Sequence, residues 1–539
     1  MKKLLLITLF LLGLPFDSHA VTEMWTSATQ SNLADALQAG DPKFLQYKSK
    51  VDAGSCSYDD YGLQYAIMYK ATGSASYCAK AFSSNGGCLG GANRNKTRDC
   101  FVERALAYSI CGNAVSAGDR STWEAQLDAV LALVQSPEHG TRTWDTDELN
   151  GHYFGGTIYC LAKDGNLSGC ATGGQGAAWG GVDVTGNDKS TLRNAIAHYY
   201  KNLSGGTFVE GSEYNQNTLY YMLQGVNAIN DFYGTDKFPE ITALFDEFAD
   251  FHVQFHTPDF SENFDFGDVQ TIGQRNDYRG RGLYAAMAHM DADDPHMWHL
   301  WNKIYADNCV RMGWGMFYDH NATKTAPAGQ TDFYADGAGI QLWHEGWTDS
   351  YESFYVSMMK PQSFADHDAN GWTNFNLWRQ GDWAISNGKG YYGSLYAEAN
   401  YLNTMLVNGG LPYVWQEARG PHLNEEGPNY AYQSGVTGGN SMYASYYSPP
   451  PESLHEWTRS HFYYKHSDDS DTVVVFDRVN AENPQDLPNY DRHTKEMQAF
   501  INGAGGRHRV LFHAASNPTQ IGNRVTWFAD NSETVFLDT

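Results

Sequence analysis

The first part of the chain carries apolar residues at helical spacing. From Asn32 to about Tyr318 they recur at i, i+3, i+4 and i+7, the period of an amphipathic α-helix. The run Tyr61–Phe82 predicts two helices broken at Thr72 and Gly73. Three faces with this spacing are Leu127, Val130, Leu131, Val134; Leu192, Ala195, Ile196, Tyr199; and Ile241, Leu244, Phe245, Phe248. Helix pairs joined by short glycine-bearing turns favour an α/α toroid or solenoid.

The first of these faces has its own start signal. Ser121 and Glu124 stand three residues apart just before it. In such a capping box each side chain satisfies a free backbone amide of the other residue. We therefore predict that this helix begins at Ser121.

The pattern changes at about Gly337. Short runs rich in Val, Tyr, Phe and Trp alternate with Gly, Asn and Pro clusters, which predicts antiparallel strands. The clearest strand is Thr472–Phe476, and another, with Phe375, leads into a turn at residues 379–382. The stretch Pro421–Pro451 predicts a long loop, either disordered or forming the wall of a cleft. Helices followed by strands indicate two domains rather than one α/β sheet.

The first twenty residues predict a secretory leader. The full chain of 539 residues is longer than a single hydrophobic core normally organises, so we expect more than one domain. Two lysines, an apolar run and Ser-His-Ala form a secretory signal peptide that we expect to be cleaved after Ala20. No later segment approaches the ~18 uninterrupted apolar residues that a membrane span needs. We expect a signal peptide over 1–20, a helical domain over 21–335 and a sheet domain over 336–539.

Cysteine content and charge fit an exported protein. The eight cysteines contain no Cys-x-x-Cys pair, which indicates disulfides rather than a zinc ribbon. Cys160 and Cys170 flank a glycine-rich loop and are one candidate pair, although spacing alone leaves the connectivity open. The formal charge of −26 argues against nucleic acid as a partner. The 14% aromatic content suits either a sugar-binding cleft or a large aromatic core.

Residues 361–410 carry the most specific pattern. His367 stands eight residues before Phe375, and an aromatic–Arg–x–Gly–x–Trp run follows at 378–383. Gly-Tyr-Tyr at 390–392 and Asn-Thr-x-Leu-Val at 403–407 close the stretch. With Trp343–Trp347 before it and Thr472–Val479 after it, this order resembles the heparinase II/III family of polysaccharide lyases.

The resemblance implies a fold and a chemistry. The family combines an incomplete (α/α) toroid with an antiparallel, sandwich-like β-sheet domain. That sheet domain is often longer, so C-terminal truncation is an expectation here. The family cleaves uronic-acid polysaccharides, including alginate and glycosaminoglycans, by β-elimination. The reaction needs a neutralised sugar carboxylate, a base that removes the neighbouring proton and an acid that protonates the leaving oxygen.

The resemblance also implies catalytic residues. His152, with Asn150, corresponds to the pair that holds the substrate carboxylate, in a segment that we expect to be a loop between helices. Tyr214, ahead of a helix predicted over Asn217–Ile229, corresponds to the proton donor. His367 or Tyr214 is the base. Reserves for the tyrosine are Tyr220 and Tyr221.

Further residues follow from the same comparison. The family's zinc ligands fall on Ala369 and Ser386, so we expect no cofactor at that position, while a shifted zinc site of His367, Asp366 and Asp368 stays open. The candidate substrate-binding residues are Arg275, Arg279, Tyr392, Tyr396 and Glu210.

Two alternative functions stay open at this point. A glycoside hydrolase on an (α/α) toroid needs two carboxylates flanking the bond, for which Glu210 with Asp268 or Asp368 is the available choice. A non-catalytic glycan-binding protein would keep an aromatic cleft without the catalytic groups. The leading expectation is a periplasmic or secreted lyase whose partner is an acidic polysaccharide, with no nucleic-acid or membrane partner.

Overall fold

A computed structural model describes part of the chain. The described residues are 21, 34–55, 62–84, 94–134, 147–166, 204–207, 214–234, 247–248, 250–264, 266, 327–328, 331–348, 351–359, 373–385, 403, 405–407, 419–437, 454–481, 508–510, 519–521, 524–528 and 534–538.

Helices make up the first part of the described chain. They are α1 (Pro42–Asp52), α2 (Leu63–Thr72), α3 (Ala75–Ser83), α4 (Arg94–Cys111), α5 (Ala117–Val134), α6 (Asp147–Asp164) and α7 (Tyr214–Tyr233). Within the described part, no helix is long and apolar enough to cross a membrane.

Several helix predictions are confirmed. The break at Thr72 and Gly73 separates α2 from α3, and Gly73 adopts the left-handed conformation (φ 69°) that ends many helices. The predicted face of α5 is buried, with Leu127 1% and Val134 4% exposed. The other two predicted faces lie outside the described residues, except for buried Phe248.

The predicted start of α5 is wrong. The helix begins at Ala117, so Ser121 and Glu124 lie inside it. Ser116 is the actual cap: its Oγ accepts a hydrogen bond from the Asp119 amide (3.1 Å) and donates to Asp119 Oδ2 (2.7 Å). Only the serine side chain satisfies a backbone amide here, because Asp119 accepts a hydrogen bond from the Ser116 hydroxyl rather than from its amide.

Strands follow the helices. They are β1 (Thr331–Ala335), β2 (Ile340–His344), β3 (Phe354–Met358), β4 (Phe375–Arg379), β5 (Asp382–Ile385), β6 (Met405–Val407), β7 (Arg419–Gly427), β8 (Tyr430–Thr437), β9 (Leu454–Lys465), β10 (Asp471–Ala481), β11 (His508–Val510), β12 (Thr519–Ile521), β13 (Arg524–Phe528) and β14 (Thr534–Asp538). Sheet 1 has the antiparallel order β1-β2-β3-β4-β5, and sheet 2 has β10-β9-β8-β7. Smaller sheets pair β6 with β11 and β12 with β13 and β14.

Two boundaries in the strand region differ from the prediction. The first strand begins at Thr331, ahead of Gly337. The predicted loop Pro421–Pro451 is wrong over Pro421–Thr437, which lies in the β7–β8 hairpin. Gly, Asn and Pro suggested a loop, but here they supply the turn between two paired strands, and alternate side chains are buried along β8.

The turn at residues 379–382 is confirmed. Arg379 pairs with Asp382, and Gln380 (φ 51°) and Gly381 (φ 87°) form the two-residue connection between β4 and β5. Positive φ at both central residues is the signature of a type I′ turn, whose twist matches that of paired strands.

Sheet 1 is buried on both faces. One face joins the core of the helical part through Leu342, Phe354 and Trp378. The opposite face packs on sheet 2, where Tyr355 stacks on Tyr463 with ring centroids 4.8 Å apart. Continuous burial along β2 and β3, rather than alternation, reflects this middle-layer position.

The segment between the helices and the strands fastens the helical part to sheet 1. Trp383 Nε1 donates to Glu262 Oε2 (2.8 Å), and Phe260 stacks on Trp347 at 5.3 Å between centroids. The α-then-β architecture is therefore confirmed. Closure of the helices into a toroid stays a prediction.

The predicted disulfides are confirmed in part. Cys78 on α3 is bonded to Cys111 at the end of α4. Cys100 and Cys160 are also disulfide-bonded. Cys170 lies outside the described residues, so its pairing with Cys160 stays a prediction.

Candidate active site

His152 lies in the first turns of α6, not in a loop. The helix runs from Asp147, so Asn150 and His152 share its N-terminal part, and the loop prediction is wrong. The glycines of this run suggested a loop, but they serve helix packing instead. His152 is 3% exposed, and the side chain of Asn150 lies outside the described part.

Gly151 separates these two residues because another side chain occupies the space beside it. A β-carbon at Gly151 would overlap Cγ of Arg98, which reaches across from α4. Arg98 is 4% exposed, and its guanidinium carbon lies 5.9 Å from the centre of the Tyr221 ring on α7. One buried arginine on α4 therefore contacts the first turns of α6 through its aliphatic part and α7 through its guanidinium group.

Sequence reasoning missed Arg98. The residue shares a helical face with Phe101 and Ala105, both fully buried. Comparing the apolar positions of α4 with the helical period would have placed this arginine on the side of the helix that faces the core. Its charge suggests the opposite position, on the solvent side.

Tyr214 is the first residue of α7, three residues ahead of the predicted start at Asn217. Its side chain lies outside the described part. α6 and α7 pack together where Phe154 covers Gly225; a β-carbon at Gly225 would overlap the Phe154 ring. The helices that carry His152 and Tyr214 are therefore neighbours.

The two reserve tyrosines are fully buried. Tyr220 donates a long hydrogen bond (3.5 Å) to Glu103 Oε1 on α4, and Tyr221 packs under Arg98. Tyr221 is thus the tyrosine on α7 that contacts the same arginine as the first turns of α6. Tyr214 lies about 10 Å further toward the helix start.

One carboxyl group on α7 is unusual. Burial raises the pKa of Asp231 to about 7. Asp231 lies more than four turns after Tyr214, about 25 Å along the helix axis. These two groups therefore cannot act on the same glycosidic bond.

His344, in the family-like run Trp343–Trp347, is a core residue. Its ring is stacked between Trp347 and Phe354, with centroid distances of 3.9 and 4.2 Å. Its Nε2 donates to the carbonyl oxygen of His256 (2.8 Å). Burial lowers the pKa of His344 to about 3, although this hydrogen bond opposes the shift. His344 links sheet 1 to the helical part as a neutral side chain.

Asn403, in the family-like Asn-Thr run, is a structural residue as well. It is fully buried, and its Nδ2 donates to the carbonyl of Phe375 (2.8 Å). Its amide donates to Asn374 Oδ1 (3.0 Å). These bonds attach the start of the 403–407 run to β4.

The remaining predicted site residues lie outside the described residues. They are His367, Glu210, Arg275, Arg279, Tyr392 and Tyr396, together with the zinc-site positions Asp366, Asp368, Ala369 and Ser386. Among the side chains that the structure describes, no group of three or more metal-ligating residues comes together.

Comparison with solved structures gives a fold. The crystal structure of heparinase III superposes with a TM-score of 0.54 at 13% sequence identity, covering 88% of this chain and 68% of that chain. A heparinase III structure with methylated lysines gives a TM-score of 0.44 at 10% identity, covering 78% of this chain and 63% of that chain. No protein-family model and no curated protein matches the chain. The likeness at this identity concerns architecture: the chain has a heparinase-like fold of helices followed by antiparallel sheets.

Proposed function

We propose that the protein is a polysaccharide lyase that cleaves a uronic-acid-containing polysaccharide by β-elimination. The proposal rests on one observation: the same chain is similar to heparinase III in fold and to its family in an ordered sequence motif. The chain shares the architecture of heparinase III over 88% of its length, and residues 361–410 repeat the ordered motif of that family. Architecture alone hosts many functions, whereas the ordered motif adds specific chemistry.

In this proposal the first turns of α6 neutralise the sugar carboxylate. His152 and Asn150 supply hydrogen bonds to it, and Arg98 beside Gly151 adds a fixed positive charge. Stabilising the negative charge that develops after proton removal is the largest demand of the reaction. His152 and Arg98 are only 3% and 4% exposed, so the proposal requires the sugar carboxylate to reach groups that are almost fully buried.

Two proton transfers complete the reaction. His367 or Tyr214 removes the proton next to the carboxylate, and the electron pair of that bond forms the new carbon–carbon double bond. The bond from the neighbouring carbon to the glycosidic oxygen breaks, and Tyr214 protonates the departing oxygen. The products are an unsaturated uronate end and an intact sugar on the leaving side.

The remaining parts of the proposal concern the substrate. Arg275 and Arg279 hold the acidic polymer, and Glu210, Tyr392 and Tyr396 line the cleft. The polymer is alginate or a glycosaminoglycan. A bacterial-type leader and an acidic chain fit a free-living degrader of alginate slightly better. The mechanism uses no cofactor, and the protein acts in the periplasm or outside the cell after cleavage at Ala20.

The test is ultraviolet absorbance during incubation with alginate, polymannuronate, polyguluronate, heparan sulfate, chondroitin sulfate and hyaluronan. β-Elimination leaves a conjugated double bond that absorbs, so absorbance should rise with at least one polymer. New reducing ends without absorbance would support the hydrolase instead. If neither signal appears with any polymer, the lyase proposal fails.

The variant Tyr214→Phe tests the proton donor. Loss of a general acid should lower kcat by about 10²–10⁴-fold. Tyr233→Phe, at the other end of the same helix, is the matched control and should keep full activity. If Tyr221→Phe abolishes activity while Tyr214→Phe does not, the donor lies two turns further along α7 and our assignment is wrong.

A further inference from the structure

Arg459 on β9 is a charged residue at the centre of the sandwich. It is fully buried between sheets 1 and 2. Its Nε and one terminal nitrogen donate to the two carboxylate oxygens of Asp477 on β10, at 2.7 and 2.8 Å. This two-point pairing compensates the charge within sheet 2 and fixes the orientation of the guanidinium group.

The other terminal nitrogen of Arg459 reaches two distant parts of the chain. It donates to the carbonyl oxygen of Thr373 (3.2 Å), to the hydroxyl of Thr373 (3.2 Å) and to the carbonyl oxygen of Asn403 (3.0 Å). Thr373 and Asn403 are also fully buried. One guanidinium group thus holds two backbone positions that are thirty residues apart in sequence.

These two positions are also joined to each other. Asn374 Oδ1 accepts a hydrogen bond from the amide of Asn403 (3.0 Å), and the carbonyl oxygen of Asn374 accepts one from the amide of Met358 on β3 (2.8 Å). Arg459, Asp477, Thr373, Asn374 and Asn403 form what we term the polar knot.

The knot lies directly after two segments that matter to the proposed function. Thr373 follows the segment 361–372, which contains His367. Asn403 follows the segment 386–402, which contains Tyr392 and Tyr396. The residues that directly follow these two segments are therefore held by the same side chain.

We propose that Arg459 is a positioning residue that fixes Thr373 and Asn403, the residues that follow the two candidate-site segments, relative to each other. A buried ion pair alone gives little net stability compared with well-packed apolar residues, so pairing with Asp477 does not account for the arginine. Its fork geometry does, because one terminal nitrogen reaches Thr373 and Asn403 while Nε and the other terminal nitrogen hold Asp477, whereas the single nitrogen of a lysine would have to serve all three partners. The catalytic part of this inference rests on the proposed lyase function.

The test replaces both partners of the ion pair. In Arg459→Met with Asp477→Leu, no buried charge is left uncompensated, so the sandwich should still fold. We expect faster amide hydrogen exchange in peptides from 361–372 and 386–402, with β9 and β10 protected as before. We also expect kcat to fall about tenfold or more, because small misplacements of catalytic groups are costly, while KM changes less.

The matched control lies at the opposite end of β4. Arg379 pairs with Asp471 and Asp469 at the sheet edge, and Asp471 keeps Tyr463 and Ser353 as partners when Arg379 is removed. Arg379→Met should therefore leave hydrogen exchange in both segments and kcat unchanged.

Three results would overturn the inference. Unchanged exchange in both segments of the double variant would show that Arg459 does not hold them. If Arg379→Met changed exchange and kcat as much as the double variant does, Arg459 would contribute only to general stability. Full recovery by Arg459→Lys would remove the argument from fork geometry. Exchange is measured without substrate, so a wild-type protein that yields no absorbance would refute the lyase proposal and leave this test intact.

Discussion

His461 provides a sharp test of how the sandwich tolerates buried polar groups. It is fully buried on β9, beside the Phe375 ring at 5.0 Å between centroids. Neither ring nitrogen has a hydrogen-bond partner among the described residues. Burial, and then the charge of Arg459, lower the pKa of His461 well below 6.5. The side chain is therefore neutral in the folded protein.

The variant His461→Leu replaces the ring with an apolar side chain of similar volume. An unpaired buried polar group costs about 1–3 kcal/mol, so we expect the free energy of unfolding at pH 7 to rise by about 1 kcal/mol or more. Below pH 6.5 the unfolded chain binds a proton at His461 and the folded chain does not. The free energy of unfolding of the wild type therefore decreases as the pH is lowered. This residue alone accounts for a loss of about 2 kcal/mol at pH 5.

The advantage of the variant should thus grow between pH 7 and pH 5. Burial also lowers the pKa of His252 to about 4 and that of His344 to about 3, so these residues likewise reduce stability as the pH is lowered. Both are present in the wild type and in the variant, so their effect cancels in the comparison. Urea unfolding followed by tryptophan fluorescence at pH 7, 6 and 5 measures the difference. His466→Gln, at a partly exposed position just after the same strand, is the control and should not reproduce the growing advantage of His461→Leu. A variant less stable at pH 7, or with an advantage independent of pH, would refute the reasoning.

Two further predictions concern the helical part. Gly225→Ala should lower the free energy of unfolding by about 1–3 kcal/mol, because the new β-carbon overlaps the Phe154 ring. The control is Gly118→Ala on α5, where a β-carbon meets nothing closer than 3.9 Å, so this change should be neutral or slightly stabilising. If urea unfolding shows the same loss of stability in both variants, the packing argument is contradicted. Replacing Cys78 and Cys111 by Ala opens a loop with a sequence separation of 33 and should cost about 4 kcal/mol on the chain-entropy model. An unchanged thermal midpoint would contradict it.

Local chemistry made much of the fold predictable. Gly73 ends α2 because its left-handed conformation favours glycine, and Gln380 with Gly381 turn β4 into β5 for a related reason. The order of helices and strands follows from a change of apolar period, which is visible without any tertiary contact.

The errors arose where tertiary packing decides the role of a residue. Gly151 resembles a loop residue in sequence, but it lies inside α6 because Arg98 fills the space beside it. Arg459 resembles a solvated charge on a strand, and only pairing across two sheets reveals its buried partners. His344 belongs to the family-like run Trp343–Trp347, and only the structure shows that its ring is enclosed by Trp347 and Phe354. No local pattern encodes these partners.

The middle position of sheet 1 has a consequence for dividing the chain. β1 ends at Ala335 and is hydrogen-bonded along its length to β2, so a cut at 335/336 would separate two paired strands. The fragment 336–539 would expose the face of sheet 1 that now packs on the helical part, including Leu342 and Phe354. We therefore expect each of the two fragments to be aggregation-prone when it is expressed without the other.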